Sequence, residues 1–212
     1  MIRQDPIFIA GPPRTGTTML AGLLNIHGVW VGRARTTNFP ETNCDFGSEN
    51  LDIKDLMKAK GMEASYKNWN TPFPPQVKHW YDLKDSVEVF IPDDTPWLVK
   101  TTWVLVFFSF WMEAYPKARW IFTKRSIEAI QDSMNRHPTM KRHPEKQKRG
   151  YIEALQARQN KVGRLATNSF VLDINKMVNK DEEEITSLFT FLKIPIKWEE
   201  TLNWIKPEMM KQ

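Results

Sequence analysis

The 212-residue chain carries one cysteine, Cys44. A lone thiol excludes an internal disulfide framework and fits a reducing compartment; with no neighbour to lower its pKa it reads as a spectator. Long hydrophobic runs are missing as well. The longest, VLVFFSFWM (104–112), is about half the ~20 residues needed to span a bilayer. The apolar run at 7–10 is too short for a secretory signal, so a soluble, cytoplasmic protein is the expectation. Strong charge bias is also absent. A formal net charge of +5 suits an anionic small ligand and is too small to argue for nucleic acid alone. His27, His79, His137 and His143 show no metal-ligand spacing, so structural or surface roles are expected for them, with no metal. No repeat, low-complexity tract or long linker divides the chain, which reads as one domain, 1–212, with ordinary globular proportions of 41% hydrophobic and 26% charged residues.

A further absence sits in AGPPRTGTTML (10–20). The common phosphate-binding loop reads GxxxxGK[ST]. Gly11 and Gly16 have that spacing, but Thr17 and Thr18 follow where the lysine belongs, and Arg14 is the one cation inside the loop. The backbone amides of such a turn, at a helix N-terminus, bind a phosphate-like group whatever the side chains. Thr15, Thr17 and Thr18 add hydroxyls, and Arg14 adds a planar, permanently charged fork.

The residues around the loop read as alternating strands and helices. The apolar run at 6–10 reads as a buried strand, and TTMLAGLLNIH (17–27) as a helix with Met19, Leu20, Leu23 and Leu24 on one face. VWVG, ending at Gly32, reads as a short strand and 50–60 as a helix. Between 61 and 96, Pro72, Pro74, Pro75, Pro92 and Pro96 stand among Tyr66, Trp69, Phe73, Trp80 and Tyr81. That density of proline predicts an irregular excursion, a lid or substrate wall, where Trp69 and Trp80 would be placed to stack on a sugar or lipid. Strands at 96–100 and 118–124, helices at 103–114 and 125–137, a strand at 168–174 and a helix at 181–194 follow. The expected architecture is α/β/α, a central parallel sheet covered on both faces. From Arg136 to Arg164 the chain is rich in lysine and arginine and reads as a solvated helix rather than an anion-binding face.

A nucleoside triphosphatase also needs an acidic residue at a strand end to hold Mg²⁺. These strands end instead in Lys100 and in Lys124-Arg125; Asp173 alone closes an apolar strand, late in the chain. Cations where a metal-holding carboxylate belongs suit an anionic ligand without metal. Arg125 begins the helix after the third strand, and Ser133 lies eight residues on, about 12 Å along a helix. Together they are placed to share a second phosphate.

GPPRTGTT, the Arg125–Ser133 spacing, the approach AYPKARWIFTKR and the closing FVLDINKMVNKDEEEITSLFTFLKIP resemble the sulfotransferase family, which uses 3′-phosphoadenosine 5′-phosphosulfate (PAPS). The resemblance covers most of the chain outside roughly 52–95. It implies the P-loop-like sulfotransferase fold and transfer of a sulfuryl group from PAPS to a hydroxyl or amine of a small molecule, glycan or lipid, with adenosine 3′,5′-bisphosphate (PAP) as product. On it, Arg14, Thr15, Gly16, Thr17 and Thr18 hold the 5′-phosphosulfate, Arg125 and Ser133 the 3′-phosphate, and Arg14 with Lys100 stabilises the departing phosphate. Cytosolic members place a catalytic histidine two residues after a strand-end lysine; LVKTT puts Thr102 there. FGSEN (46–50) is similar to a segment in which other branches carry a glutamate, which makes Glu49 the candidate base and Glu41 the reserve. Two rivals remain at this stage. One is a P-loop nucleotide kinase with a degraded lysine, and the other a fold relative that binds PAP or a sulfated ligand without turnover.

Overall fold

The computed structural model describes residues 4–32, 51–59, 81–101, 103–137 and 140–206. Glu41, Cys44, Glu49 and Thr102 lie outside the described residues. So does the 61–80 part of the Pro-rich stretch, with Trp69, His79 and Trp80. In chain order the elements are β1 (Ile7–Ala10), α1 (Thr17–Ile26), α2 (Leu51–Ala59), α3 (Tyr81–Glu88), β2 (Leu98–Lys100), α4 (Trp103–Val106) and α5 (Phe108–Ala114). Then come β3 (Arg119–Lys124), α6 (Ile127–Arg136), α7 (Glu145–Leu165), β4 (Ser169–Asp173), α8 (Ile174–Val178), α9 (Glu182–Leu192) and α10 (Trp198–Trp204).

The four described strands are parallel in the order β2-β1-β3-β4. Phe8 lies opposite both Val99 and Trp120, and Ile9 opposite Lys100 and Ile121. Successive side chains on a strand point to opposite faces, so the buried run of β1 feeds two cores at once. Phe8 and Ala10 join Val99, Trp120, Phe122 and Trp111 on one face. Ile7 and Ile9 join Leu98, Ile121, Leu172 and the buried Met19, Leu20, Leu23 and Leu24 of α1 on the other. The first face is aromatic: the Phe8 ring centroid is 5.2 Å from Trp111 and 4.6 Å from Trp120. A strand apolar on both faces is what a helix-covered parallel sheet requires, and truncating Phe8 to alanine would cost about 3–5 kcal/mol.

Four differences from the sequence reading have physical causes. The Pro-rich segment is not irregular throughout, because α3 occupies Tyr81–Glu88, a proline-free stretch, and carries an i,i+4 pair between Lys84 and Glu88 at 3.9 Å. The aromatic helix at 103–114 breaks into α4 and α5 at Phe107, whose φ of −108° and ψ of 31° leave the helical region. VWVG makes a single bridge, Trp30 to Trp97, instead of a strand. Two short helices that the sequence reading lacked, α8 and α10, follow β4 and α9. The basic 136–164 stretch is solvated along much of α7, with Arg149 paired to Glu153 at 2.9 Å. Its inner face nevertheless buries Lys148 and Arg158 among Ile152, Leu155 and Val162.

Candidate functional site

The chain leaves β1 for β2 on one side and returns to β3 on the other, so the strand order reverses between β1 and β3. In open α/β sheets ligands bind at such a switch point, beyond the carboxyl ends of the strands. Here the β1–α1 loop and the β3–α6 junction meet there.

Close packing shapes the loop. A Cβ on Gly11 would lie 2.1 Å from Thr123 Oγ1 and 2.7 Å from Thr15 Oγ1, so only glycine fits against that hydroxyl pair. Thr15 is fully buried; its hydroxyl donates to the Pro12 carbonyl at 2.7 Å and therefore accepts from Thr123 Oγ1, also at 2.7 Å. Gly16 has φ 76° and caps α1 with no side-chain partner, leaving the amides of the first turn facing the loop. Any side chain on it would also strike Ile174, whose Cγ1 would be 2.7 Å away. Arg14 has φ 69°, a left-handed backbone that costs a non-glycine residue about 1–2 kcal/mol. Strain of this kind persists where surrounding contacts hold it.

Those contacts come from the second half of the site. Arg125 Nη1 donates to the Arg14 carbonyl at 2.8 Å, and Arg14 Nε donates to Ser133 Oγ at 2.9 Å. Arg125 precedes α6 and Ser133 is the seventh residue of that helix, yet both touch residue 14. The helix therefore lies across the sheet edge, above the loop. Ser126 starts it cleanly, its hydroxyl accepting from Ala129 N, and Ser133 is buried. From α7, Gln159 donates to the Thr123 carbonyl at 3.3 Å and Gln156 to the Arg125 carbonyl at 3.4 Å, steadying the end of β3. Lys100, at the end of β2, is buried and donates to Thr18 Oγ1 in the first turn of α1 at 3.0 Å.

The electrostatics favour an anion. Burial, then Arg125, then Arg136 push the Arg14 pKa down. Burial lowers that of Arg125 too, helped by Arg136 and opposed by Asp132. Guanidinium groups stay charged regardless, so these directions report crowded, partly dehydrated positive charge. Asp173, the carboxylate that ends β4, is engaged locally: it accepts from the amides of Asn175 at 2.9 Å and Lys176 at 3.4 Å as the cap of α8.

A sequence model of the sulfotransferase family matches residues 6–200. The chain belongs to the sulfotransferase family. Solved structures share its fold. A sulfotransferase domain from the Synechococcus PCC 7002 olefin synthase aligns with TM-score 0.61 at 15% identity over 98% of this chain and 79% of that one. Sulfotransferase STF9 from Mycobacterium avium gives 0.55 at 13% over 96% and 67%, and the sulfotransferase domain from the curacin biosynthetic pathway 0.52 at 14% over 99% and 83%. Comparison with curated proteins gave no match.

Within this sulfotransferase-family chain, the structure brings Arg14, Thr15, Gly16, Thr17, Thr18, Lys100, Arg125 and Ser133 to one sheet edge, while Glu49 and Glu41 lie outside the described residues. Sequence reasoning gave no site role to Thr123 or Ile174, and read Arg136 as part of a solvated basic helix and His137 as structural or surface. A threonine inside an apolar strand two residues before Arg125 was a legible signal for the first. Ile174 carries no such signal, since its contact with Gly16 exists only in the folded chain. A separate cleft of about 400 Å³ opens at the opposite edge, lined by residues that include Asp5, Lys117, Arg119 and Lys193. It lies at the amino ends of the strands, where such sheets do not place their ligand sites.

Proposed function

We propose that this chain transfers the sulfuryl group of PAPS to a hydroxyl or amine acceptor on a small molecule, glycan or lipid. The observation that carries the proposal is the Arg125–Arg14–Ser133 chain of hydrogen bonds at the β1/β3 switch point. It joins a glycine loop at a helix N-terminus to a second cationic site, which suits a ligand with anionic groups at both ends. The residues present fit such a donor. A helix start without a side-chain cap, the close Gly11 cradle and three buried or half-buried cations surround one edge.

In this proposal the amides of Gly16, Thr17 and Thr18 with Arg14 bind the 5′-phosphosulfate, and Arg125 with Ser133 binds the 3′-phosphate. Thr15 contributes through loop shape, since its hydroxyl is committed to Pro12 and Thr123. PAPS supplies an activated sulfuryl group whose leaving group is a phosphate. Sulfuryl transfer resembles phosphoryl transfer in that positioning and charge stabilisation dominate. Arg14 and Lys100 stabilise the negative charge that grows on the departing phosphate, and Lys100 already stands against the first turn of α1. Glu49 takes the acceptor's proton, with Glu41 in reserve. The single cysteine goes with a cytoplasmic setting.

PAP tests the proposal without an acceptor. It is expected to raise Tm with no added metal, because a ligand that binds the folded state alone stabilises by about 2.7 kcal/mol at a hundredfold excess over Kd. For a chain of this length that is roughly 5–10 °C. A larger shift with Mg-ATP than with PAP would replace this reading with the nucleotide kinase. PAP binding without transfer from PAPS to any acceptor in a broad screen would leave a non-catalytic relative.

A further inference from the structure

α7 grips α6 at two places. Near the start of α7, Lys148 Nζ donates to Asn135 Oδ1 of α6 and to Glu145 Oε1 at 3.0 Å, while Gln131 Nε2 of α6 donates to Glu145 Oε2 at 3.3 Å. Further along, Gln156 donates to the carbonyl of Arg125, at the entrance to α6. Lys148 and Gln156 are eight residues apart, as are Arg125 and Ser133, about 12 Å on a helix. The two helices therefore run antiparallel, and α7 spans the length of α6 over which the proposed 3′-phosphate pair is set out.

Lys148 is an unexpected residue to bury. Its side chain is 2% exposed, whereas that of Glu145 is 62% exposed and Asn135 is exposed as well. Partners that reach solvent repay little of the cost of dehydrating an ammonium, and an apolar side chain of similar volume is often no worse for stability. Apolar packing between the helices is already present, with Ile130 and Met134 of α6 against Ile152 of α7. Such packing is non-directional and sets the rotation of a helix about its own axis only loosely. The hydrogen bonds set it more tightly. Gln131 and Asn135 stand four residues apart on one stripe of α6, and both end on the Glu145–Lys148 pair. Ser133 is two residues from each, so at 3.6 residues per turn it points to the opposite side, where its Oγ accepts from Arg14 Nε at 2.9 Å. Cα atoms lie about 2.3 Å from a helix axis and Oγ farther out, so a rotation of about 20° carries Oγ by more than ~1 Å. That is enough to lose a hydrogen bond.

We infer that Lys148 is a positioning residue of the anion site: with Glu145, Gln131 and Asn135 it fixes the rotation of α6 and so the placing of the Ser133 hydroxyl. The inference rests on the reading that Ser133 holds the 3′-phosphate of PAP. Lys148 does its work through Ser133 and touches no ligand itself.

Calorimetric titration with PAP and with adenosine 5′-phosphosulfate, which lacks the 3′-phosphate, tests this on two variants. K148M keeps the length of the side chain and removes the ammonium. Q131A/N135A cuts both ties from the α6 side and leaves Lys148 paired with Glu145, so it keeps the test open should K148M fail to fold. Both variants are expected to unfold within a few degrees of the wild type. The ratio of PAP to adenosine 5′-phosphosulfate affinity is expected to fall about five- to tenfold in each, part of the ten- to hundredfold that a whole charge-assisted bond is worth. A residue that merely supports the fold would lower Tm and leave that ratio alone. The decisive readout is the same pair of changes made in S133A, where the ratio is expected to stay at the S133A value, because interactions that act through one residue are not additive. A wild-type ratio in Q131A/N135A, or an equal further drop in the S133A background, overturns the inference while the cofactor reading stands. An S133A protein that keeps the wild-type ratio, or a wild type that fails to bind PAP, defeats the 3′-phosphate reading and this inference with it.

Discussion

Replacing Arg125 with alanine removes two things at once, and the structure says how to tell them apart. One is the proposed contact with the 3′-phosphate of PAP. The other is the hydrogen bond from Nη1 to the Arg14 carbonyl at 2.8 Å, which helps to hold residue 14 in its left-handed conformation. A charge-assisted bond to the ligand is worth about 1.5–3 kcal/mol, roughly ten- to a hundredfold in affinity. An intramolecular bond nets about 0.5–1.5 kcal/mol, or roughly two- to tenfold if the loop must be reordered for binding. Adenosine 5′-phosphosulfate feels only the second loss, so its affinity for R125A is expected to fall about two- to tenfold. PAP feels both, and the ratio of PAP to adenosine 5′-phosphosulfate affinity is expected to drop by a further ten- to hundredfold or so. Calorimetry or ligand-shifted Tm with the two nucleotides reads that ratio. An unchanged ratio would refute the 3′ assignment, and an unaffected adenosine 5′-phosphosulfate would refute the loop-holding argument.

Thr123→Val trades the hydroxyl that donates to Thr15 for a methyl pressed against Gly11. A stability loss of about 1–3 kcal/mol is expected in thermal unfolding, with T123S close to wild type; a neutral T123V would mean the hydroxyl pair does not shape the loop. Glu49→Gln keeps shape and removes charge, so PAP binding should be normal while turnover falls at least about a hundredfold; near-normal turnover would move the base to Glu41 or elsewhere. His27 is a third case. It is held neutral by burial, with Nδ1–H donating to the Leu23 carbonyl at 2.8 Å and Nε2 accepting from the Lys197 amide at 3.0 Å. Its folded pKa is depressed below 6.5, so its contribution is present above 6.5 and lost as pH falls through the folded-state value. The Tm difference between wild type and H27Q is therefore expected to shrink between pH 7.5 and 5, and a gap that widens on acidification would refute it.

How much of this was legible in the sequence depends on where the determining contacts lie along the chain. The β1–loop–α1 unit was legible because a few neighbouring residues specify it: an apolar strand, two glycines six positions apart when counted inclusively, and a helical apolar face. The parallel sheet was legible for the same reason, since β1, β2 and β3 carry apolar residues on both faces and stand beside helical periodicity, while β4 at the edge buries Leu172 and exposes Val171. The Arg125–Ser133 pair could be named from its spacing, but spacing could not show that both residues converge on Arg14, more than a hundred positions away. Nor could it show that the Thr15 hydroxyl is used up inside the loop, because its partner Thr123 lies on a different strand. The short helices were missed for a different reason. α8 is five residues capped by Asp173, and α10 is held by tertiary contacts, with Thr201 buried and the Trp204 indole donating to the Met19 carbonyl at 2.9 Å. Helices that short are marginal on propensity alone and exist because they are docked. The docking has a consequence for the site. Ile174, the first residue of α8, presses on Gly16, and Trp204 of α10 bonds to the first turn of α1. The C-terminal third of the chain therefore braces the helix start that the glycine loop feeds, although it contributes no side chain to the proposed phosphate contacts.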